Sequence, residues 1–320
     1  LDVFGGAAIS AEAFPGLDAR LSRYSYLVSL LPRSIADDLG LQVSLVRRRY
    51  SSYTPVPGTD RGLLIDNGNW AGTADSFASV GAASDAERFA AFYRRIARFA
   101  GALFDTVTSP LPTAAAARGL LGADWDDFVA RPIGEVIEAS VADDLVRGVV
   151  ATDALIGTFT DLNESIAGNR CLLYHVIGGG TGDWDVPVGG MGVVSGGLER
   201  AARAAGVRLV TGAEVTAIDP EGAVSYVRGE QEHRLTADLV LCGAAPGVLA
   251  ALLGEVPTTR AEGAQVKVNL LLRRLPRLRQ VGVLPEAAFG GTFHIHETLT
   301  ELTAARTEAV GGRLPEPLPA

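Results

Sequence analysis

Residues 186–218 read VPVGGMGVVSGGLERAARAAGVRLVTGAEVTAI, and this stretch decides the fold class. A glycine-rich turn leads into an alanine-rich run with helical spacing. Gly206 fits the helix C-terminus, since glycine enters left-handed backbone without steric cost. Val207–Leu209 then begin an apolar run that predicts a strand. Turn, helix, glycine stop and strand in this order make an α/β unit. Gly189, Gly190 and Gly192 stand before the helix, whose first amides could face an anion or a polar ring edge. The cluster is not a GxGxxG fingerprint, because no predicted strand leads directly into it. Glu214 comes near the spacing of about 20 residues expected for a ribose-binding acid, but it lies at a strand end in a hairpin-rich region. Tight helix packing and ligand contact account for these glycines equally well.

Beyond this unit, Val224–Val227 and His233–Leu235 flank a turn at Gly229, as in a hairpin. Asp238–Cys242 reads as a short buried strand, and Val266–Leu272 as another. Before it, Ser84 can cap a helix with Glu87 three residues on. Phe89, Phe92, Tyr93, Ile96 and Phe99 follow at helical spacing, an aromatic stripe that reads as core. Further helical patterns lie at Trp125–Val129, Ile133–Ala139 and Asp143–Ala151. Short strands are expected near Gln42–Val46 and Leu63–Ile65.

Composition bounds the rest. The 320 residues are 48% hydrophobic and 20% charged, enough for a sizeable core. The net charge of −9 and the absence of a basic face argue against nucleic acid, Arg47–Arg49 being the only basic run. No apolar run approaches the roughly 20 residues that span a bilayer, so only peripheral membrane contact stays open. Cys171 and Cys242 stand far apart in apolar sequence and read as buried packing residues, neither a disulfide nor a zinc pair. Without a secretory pattern, a cytoplasmic location is the expectation. His294 and His296 alternate in FHIHE and would share one strand face; with Glu297 on the other face and no third ligand, no metal site is expected. His175 lies beside the glycine turn Gly178–Gly180, where it could face a substrate cavity or be a hydrogen-bonded core histidine. No GxSxG, P-loop or HExxH motif occurs.

The order of segments then becomes informative. FGGAAISAEAFPG, SYLVSLL, ATDALIGTFT, LLYHVIGGGTGDWDVPVGGMGVVSGGL, GVRLVTGAEVTAI, ADLVLCGAAP and QVKVNLLLRRLP follow one another through nearly the whole chain. In that order the chain resembles the phytoene dehydrogenase-like FAD-dependent oxidoreductases, in particular the pyridine nucleotide-disulfide oxidoreductase domain-containing protein 2 group. The resemblance implies an α/β FAD/NAD(P)-binding domain of glutathione reductase type, interleaved with a mixed α+β substrate domain. Residues 1–35 and 181–255 would belong to the first, and 36–180, largely helical, and 256–320 to the second. In such families a strand, a GxGxxG turn and a ribose-binding acid precede the paired glycines, and a flavin segment closes the chain. The expectation is therefore a chain cut at both ends.

The resemblance also assigns roles. Gly5 and Gly6 would line the FAD pyrophosphate and ribose, Glu214 and Val215 would meet the adenine side, and Ala244, Ala245 and Pro246 would form the turn beneath the cofactor. Lys267 is the only lysine among 28 basic residues. A lone ammonium in an arginine-biased chain marks a place where a compact, titratable donor is wanted. Related flavoenzymes place a lysine on the corresponding strand to hold a water near flavin N5, so Lys267 is expected to face the flavin, supported by Asn269 on the same strand face. A chance lysine on an edge strand is the alternative. The implied reaction is hydride transfer from an apolar organic substrate to flavin, with an unspecified electron acceptor. A flavin-dependent isomerase, or a truncated, non-catalytic scaffold that binds partners, are the other readings.

Overall fold

The computed structural model describes every residue except 23, 182, 258–262 and 264. In chain order its elements begin with β1 (Ser10–Glu12), β2 (Arg20–Ser22), α1 (Arg33–Asp38), β3 (Leu45–Arg47), β4 (Tyr50–Pro55) and β5 (Gly62–Asp66). A helical stretch follows: α2 (Trp70–Ser79), α3 (Asp85–Phe104), α4 (Ala114–Leu121), a π-helical turn at Asp126–Ala130, α5 (Ile133–Ser140), α6 (Asp144–Leu155) and α7 (Ala167–Val176). The rest comprises β6 (Asp185–Pro187), α8 (Met191–Ala204), β7 (Ala213–Ile218), β8 (Ala223–Arg228), β9 (Gln231–Thr236), α9 (Pro246–Leu252), α10 (Pro285–Ala288), β10 (Thr292–Phe293) and α11 (Leu299–Val310).

The chain forms two compact units. The first comprises Leu1–Tyr26, Ser34–Ser44 and Pro187–Glu262; the second comprises Leu27–Arg33, Leu45–Val186 and Gly263–Ala320. Within the first, α8 packs on the β1–β2 hairpin, and β7, β8 and β9 form an antiparallel meander with α9 against β7. Gly229 turns β8 into β9 with φ of 62°, which an L side chain adopts only under strain. Gly206 ends α8 with φ of 79° and its amide bonded to the Arg203 carbonyl. The chain does not become a strand at Val207–Leu209 but only at Ala213. Among the described strands of this unit every pairing is antiparallel.

The second unit holds the large core. Phe89, Phe92, Ile96 and Phe99 bury one face of α3, with Phe92 and Phe99 packed edge-on to Phe128. Around them close Phe77, Ile133, Ile137, Val146, Val150 and Leu172. The aromatic stripe is core, as its helical period requires. Ser84 stands before α3 but makes no capping bond. Asp85, 1% exposed, instead turns its carboxylate away and accepts the amides of Ala142 (2.8 Å) and Asp143 (2.6 Å), fixing the start of α6. In the sheet of this unit β5 pairs antiparallel with β4, and β10 pairs parallel with β4.

Two expected strands are not strands. Asp238–Cys242 lies outside any strand, with Leu239 74% and Leu241 86% exposed, so Cys242 is exposed and only Cys171 is buried. Val266–Leu272 is likewise exposed throughout and outside any strand. A strand exists only through its ladder of bonds to a neighbour, and an apolar pattern alone does not supply one.

Candidate functional site

The predicted cofactor residues all lie in the first unit, while His175, Lys267 and Asn269 lie in the second. Gly5 and Gly6 both adopt positive φ, 109° and 53°. A Cβ on Gly5 would come within 2.8 Å of Ser195 on α8 and of Ile9, so the backbone lies directly on the helix. A Cβ on Gly6 would meet nothing closer than Leu1 Cδ1 at 4.0 Å. The first glycine is thus a packing requirement on its α8 side, and the second, half-buried, leaves room for a Cβ. The Gly212 amide donates to the Leu1 carbonyl at 2.9 Å, tying the entry of this turn to the entry of β7. Glu214 and Val215 stand exposed on β7, an edge strand of its sheet, and Ala244, Ala245 and Pro246 are exposed at the start of α9, which packs on β7. Pro246 opens that helix, where the missing amide costs nothing.

The glycines before α8 behave differently. A Cβ on Gly192 would meet Ser10 at 2.9–3.1 Å, and one on Gly190 would meet the Ser10 hydroxyl at 2.8 Å. The Gly192 amide donates to Ser10 Oγ at 3.0 Å and the Met191 amide to Ser22 Oγ at 3.4 Å. The helix N-terminus is therefore satisfied from within the unit, and Gly190 and Gly192 serve packing against β1. Ser10, Ser22 and Ser195 are the contributors that sequence reading missed. Only Ser195, next to Gly196 and Gly197, stands beside a glycine pair; Ser10 and Ser22 carry no such signal. Tested against a dinucleotide, the unit fits at the Gly6 backbone and at the exposed Glu214 carboxylate, which can accept hydroxyl hydrogen bonds. It does not fit through the amides of α8.

In the second unit Lys267 and Asn269 are exposed on a segment that is not a strand, so the shared strand face expected of them is absent. His175 is a core ring: it stacks on Trp184 with centroids 4.7 Å apart, its Nδ1 donates to the Cys171 carbonyl at 2.9 Å, and it lines no described cavity. Cys171 Sγ lies 3.8 Å from that nitrogen but donates to the Ile156 carbonyl at 2.8 Å, and burial pushes its thiol up. It is not an activated nucleophile. The FHIHE histidines do not share a face either. The strand ends at Phe293, His296 takes φ of 55°, and Glu297 comes round to the His294 side, 3.8 Å from its Nε2. Among the described residues no group of three or more His, Cys, Asp or Glu side chains could hold a metal ion.

A buried polar cluster that sequence reading did not foresee surrounds Asp153 and Glu297. Burial pushes the Asp153 carboxyl up, against the opposing pull of His175, Tyr93 and Arg48. Tyr93 donates to Asp153 Oδ2 at 3.4 Å, and burial raises its phenol well above the usual range. Thr152 donates to Glu297 Oε2 at 2.8 Å, and burial raises Glu297 in turn. His294, hydrogen-bonded through Nδ1 to the Thr54 hydroxyl at 2.8 Å, is pushed down by burial to about 4.

Comparison with known proteins sets this geometry in context. No family model matches the chain. It is similar to an uncharacterized protein of Mycobacterium tuberculosis, 50% identical over 328 residues that take in 98% of this chain and 61% of that protein. It is similar to pyridine nucleotide-disulfide oxidoreductase domain-containing protein 2 of Rattus norvegicus, 27% identical over 372 residues, 99% of this chain and 63% of that protein. Among solved structures it resembles an oxidoreductase from Methanosarcina mazei at 17% identity and a TM-score of 0.47, over 79% of this chain and 54% of the other. The chain thus spans about three-fifths of the length of the curated relatives it matches.

Proposed function

We propose that this chain carries part of an FAD-dependent oxidoreductase and that its first unit holds the nucleotide side of the cofactor. The observation that carries the reading is the Gly5–Gly6 turn. One glycine is pressed onto α8 while the next leaves room for a Cβ, nothing lying closer than 4.0 Å, and the turn is tied through Leu1 to the strand bearing Glu214 and Val215. The Gly6 backbone would approach the pyrophosphate, Glu214 would accept ribose hydroxyls, the Val215 backbone would lie along the adenine, and Ala244–Pro246 would support the ring from below. The name of the 27%-identical relative supports the class of chemistry. Bound flavin supplies a hydride acceptor at N5, and the protein's part is to bind, orient and exclude water. Lys267, with Asn269 two residues on, remains our candidate for a water-holding ammonium near that position, through resemblance alone. The substrate would be an apolar organic molecule, and the electron acceptor is left open.

The test is cofactor binding by the full chain. Added FAD should be retained through gel filtration with its visible absorbance. Gly6→Asn, whose side chain tolerates the left-handed backbone of this position, should weaken binding at least about tenfold, or 1.4 kcal/mol, while leaving the circular dichroism of the chain unchanged. A folded chain that takes up no FAD would overturn the reading in favour of a partner-binding scaffold. For Lys267→Met, slowed flavin reduction or reoxidation is expected, and unchanged rates would remove that residue from the site. Substrate turnover without consumption of an acceptor would point to an isomerase.

A further inference from the structure

The segment Phe293–Glu297 joins three elements of the second unit through three different side chains. His294 binds Thr54 of β4, its amide donating as well to the Tyr53 carbonyl at 2.9 Å. Glu297 accepts from Thr152 of α6, and a Cβ on Gly148 of α6 would collide with the Glu297 carbonyl, so the two backbones are in direct contact. His296, the one non-glycine residue with positive φ among the described residues, binds Glu301 of α11 at 2.8 Å. Glu301 in turn completes a capping box with Thr298. From this anchor α11 runs along α6, with the Thr300 amide donating to Asp144 and Arg306 paired to Asp161 at 3.0 Å. Leu299 and Leu302 pack against the core.

We propose that this segment is a proton-operated latch, which seats α11 on α6 while the His294 ring is neutral and releases it when that ring takes up a proton. The side chains of His294 and Glu297 are 5% and 13% exposed. A cation at His294 would sit in a nearly dry corner, with Thr54 on one side and Glu297 on the other. Hydrating it requires the segment to move outward, and the segment cannot move without taking Glu297 off Thr152 and His296 off Glu301. Ile295, between the two histidines, pairs with Ala320 in both directions, its amide donating to Ala320 O and the Ala320 amide to its carbonyl, so this pair too must part when the segment moves. Asp153 on α6 faces Glu297, and Asp153 itself faces His175, Tyr93 and Arg48.

The directions of titration agree with an acid-triggered release. The ring, pushed down from 6.5 to about 4, contributes stability that is complete above 6.5 and lost as pH falls towards 4. Burial raises Glu301, but its bonds to His296 and Thr298 outweigh this and hold it low, so its contribution is also lost on acidification. Glu297, raised by burial, works the other way and partly offsets the loss.

Hydrogen exchange of the full chain, expressed as protection factors, tests the latch. Protection of residues 299–310 should fall at least tenfold between pH 7 and 4 while that of α3 holds. His294→Gln, which keeps a polar partner for Thr54 but cannot titrate, should cut the fall to the smaller part that Glu301 carries, and Glu297→Gln should leave it in place or steepen it. An identical fall in His294→Gln would overturn the proposal. If that variant does not fold, the wild-type profile decides alone: protection of α11 that stays level down to pH 4 would equally overturn it.

Discussion

Asn169 shows how one side chain can settle the local geometry of a helix bundle. It is 2% exposed, its Oδ1 accepts the Ile133 amide at 3.1 Å, and its Nδ2 donates to the carbonyls of Phe128 (3.1 Å) and Arg131 (2.7 Å). The π-helical turn at Asp126–Ala130 leaves carbonyls that an α-helix would have used, and the amide of Asn169 supplies their donors. Asn169→Ala should therefore cost at least about 2 kcal/mol in denaturant unfolding, since it strands buried polar groups. A cost below about 0.5 kcal/mol, the level of an ordinary surface substitution, would mean that water replaces the amide freely. Sequence reading had no access to this residue, because an asparagine within a helical run declares neither burial nor partner. Asp85 is a similar case. Its position suited a first-turn acid, yet its carboxylate serves the amides of another helix 57 residues away.

At the scale of elements, legibility followed periodicity. α3 could be read from its aromatic stripe because five large side chains on one face of a helix have no stable place but a core. The β8–β9 hairpin could be read from Gly229 between Val224–Val227 and His233–Leu235. The Gly189–Gly192 cluster was ambiguous, and Ser10 resolves it. Close approach of α8 to β1 leaves no room for a Cβ at Gly192, so Gly192→Ala should destabilise the chain by about 1–3 kcal/mol, an overpacking cost. Thermal unfolding measures it, and a neutral substitution would mean that β1 yields easily. For FHIHE the alternation rule failed for a definite reason: it assumes extended backbone, and the positive φ of His296 turns the chain and brings Glu297 to the side of His294.

For the molecule as a whole, the segments that misled are those whose partners sequence cannot name. Val266–Leu272 and Leu239–Leu241 carry the apolar character of buried strands, yet both stand exposed. Amides of residues 266–272 should exchange within seconds in hydrogen-exchange measurements while those of α3 and α6 persist. Slow exchange there would reveal a ladder with a neighbour. No described helix is long and apolar enough to cross a membrane.

The interleaved chain path has a bearing on biosynthesis. The first unit opens with residues 1–26 and closes only with residues 187–262. At the usual pace of translation, the glycine turn leaves the ribosome roughly 10–45 s before the meander that completes its unit. During that interval the helices of the second unit, contiguous from Trp70 to Val176, can already collapse on Phe92 and Phe99. The Gly5–Gly6 turn is thus synthesised well before the meander that completes its unit, and the nascent chain must carry it unsupported until α8 arrives.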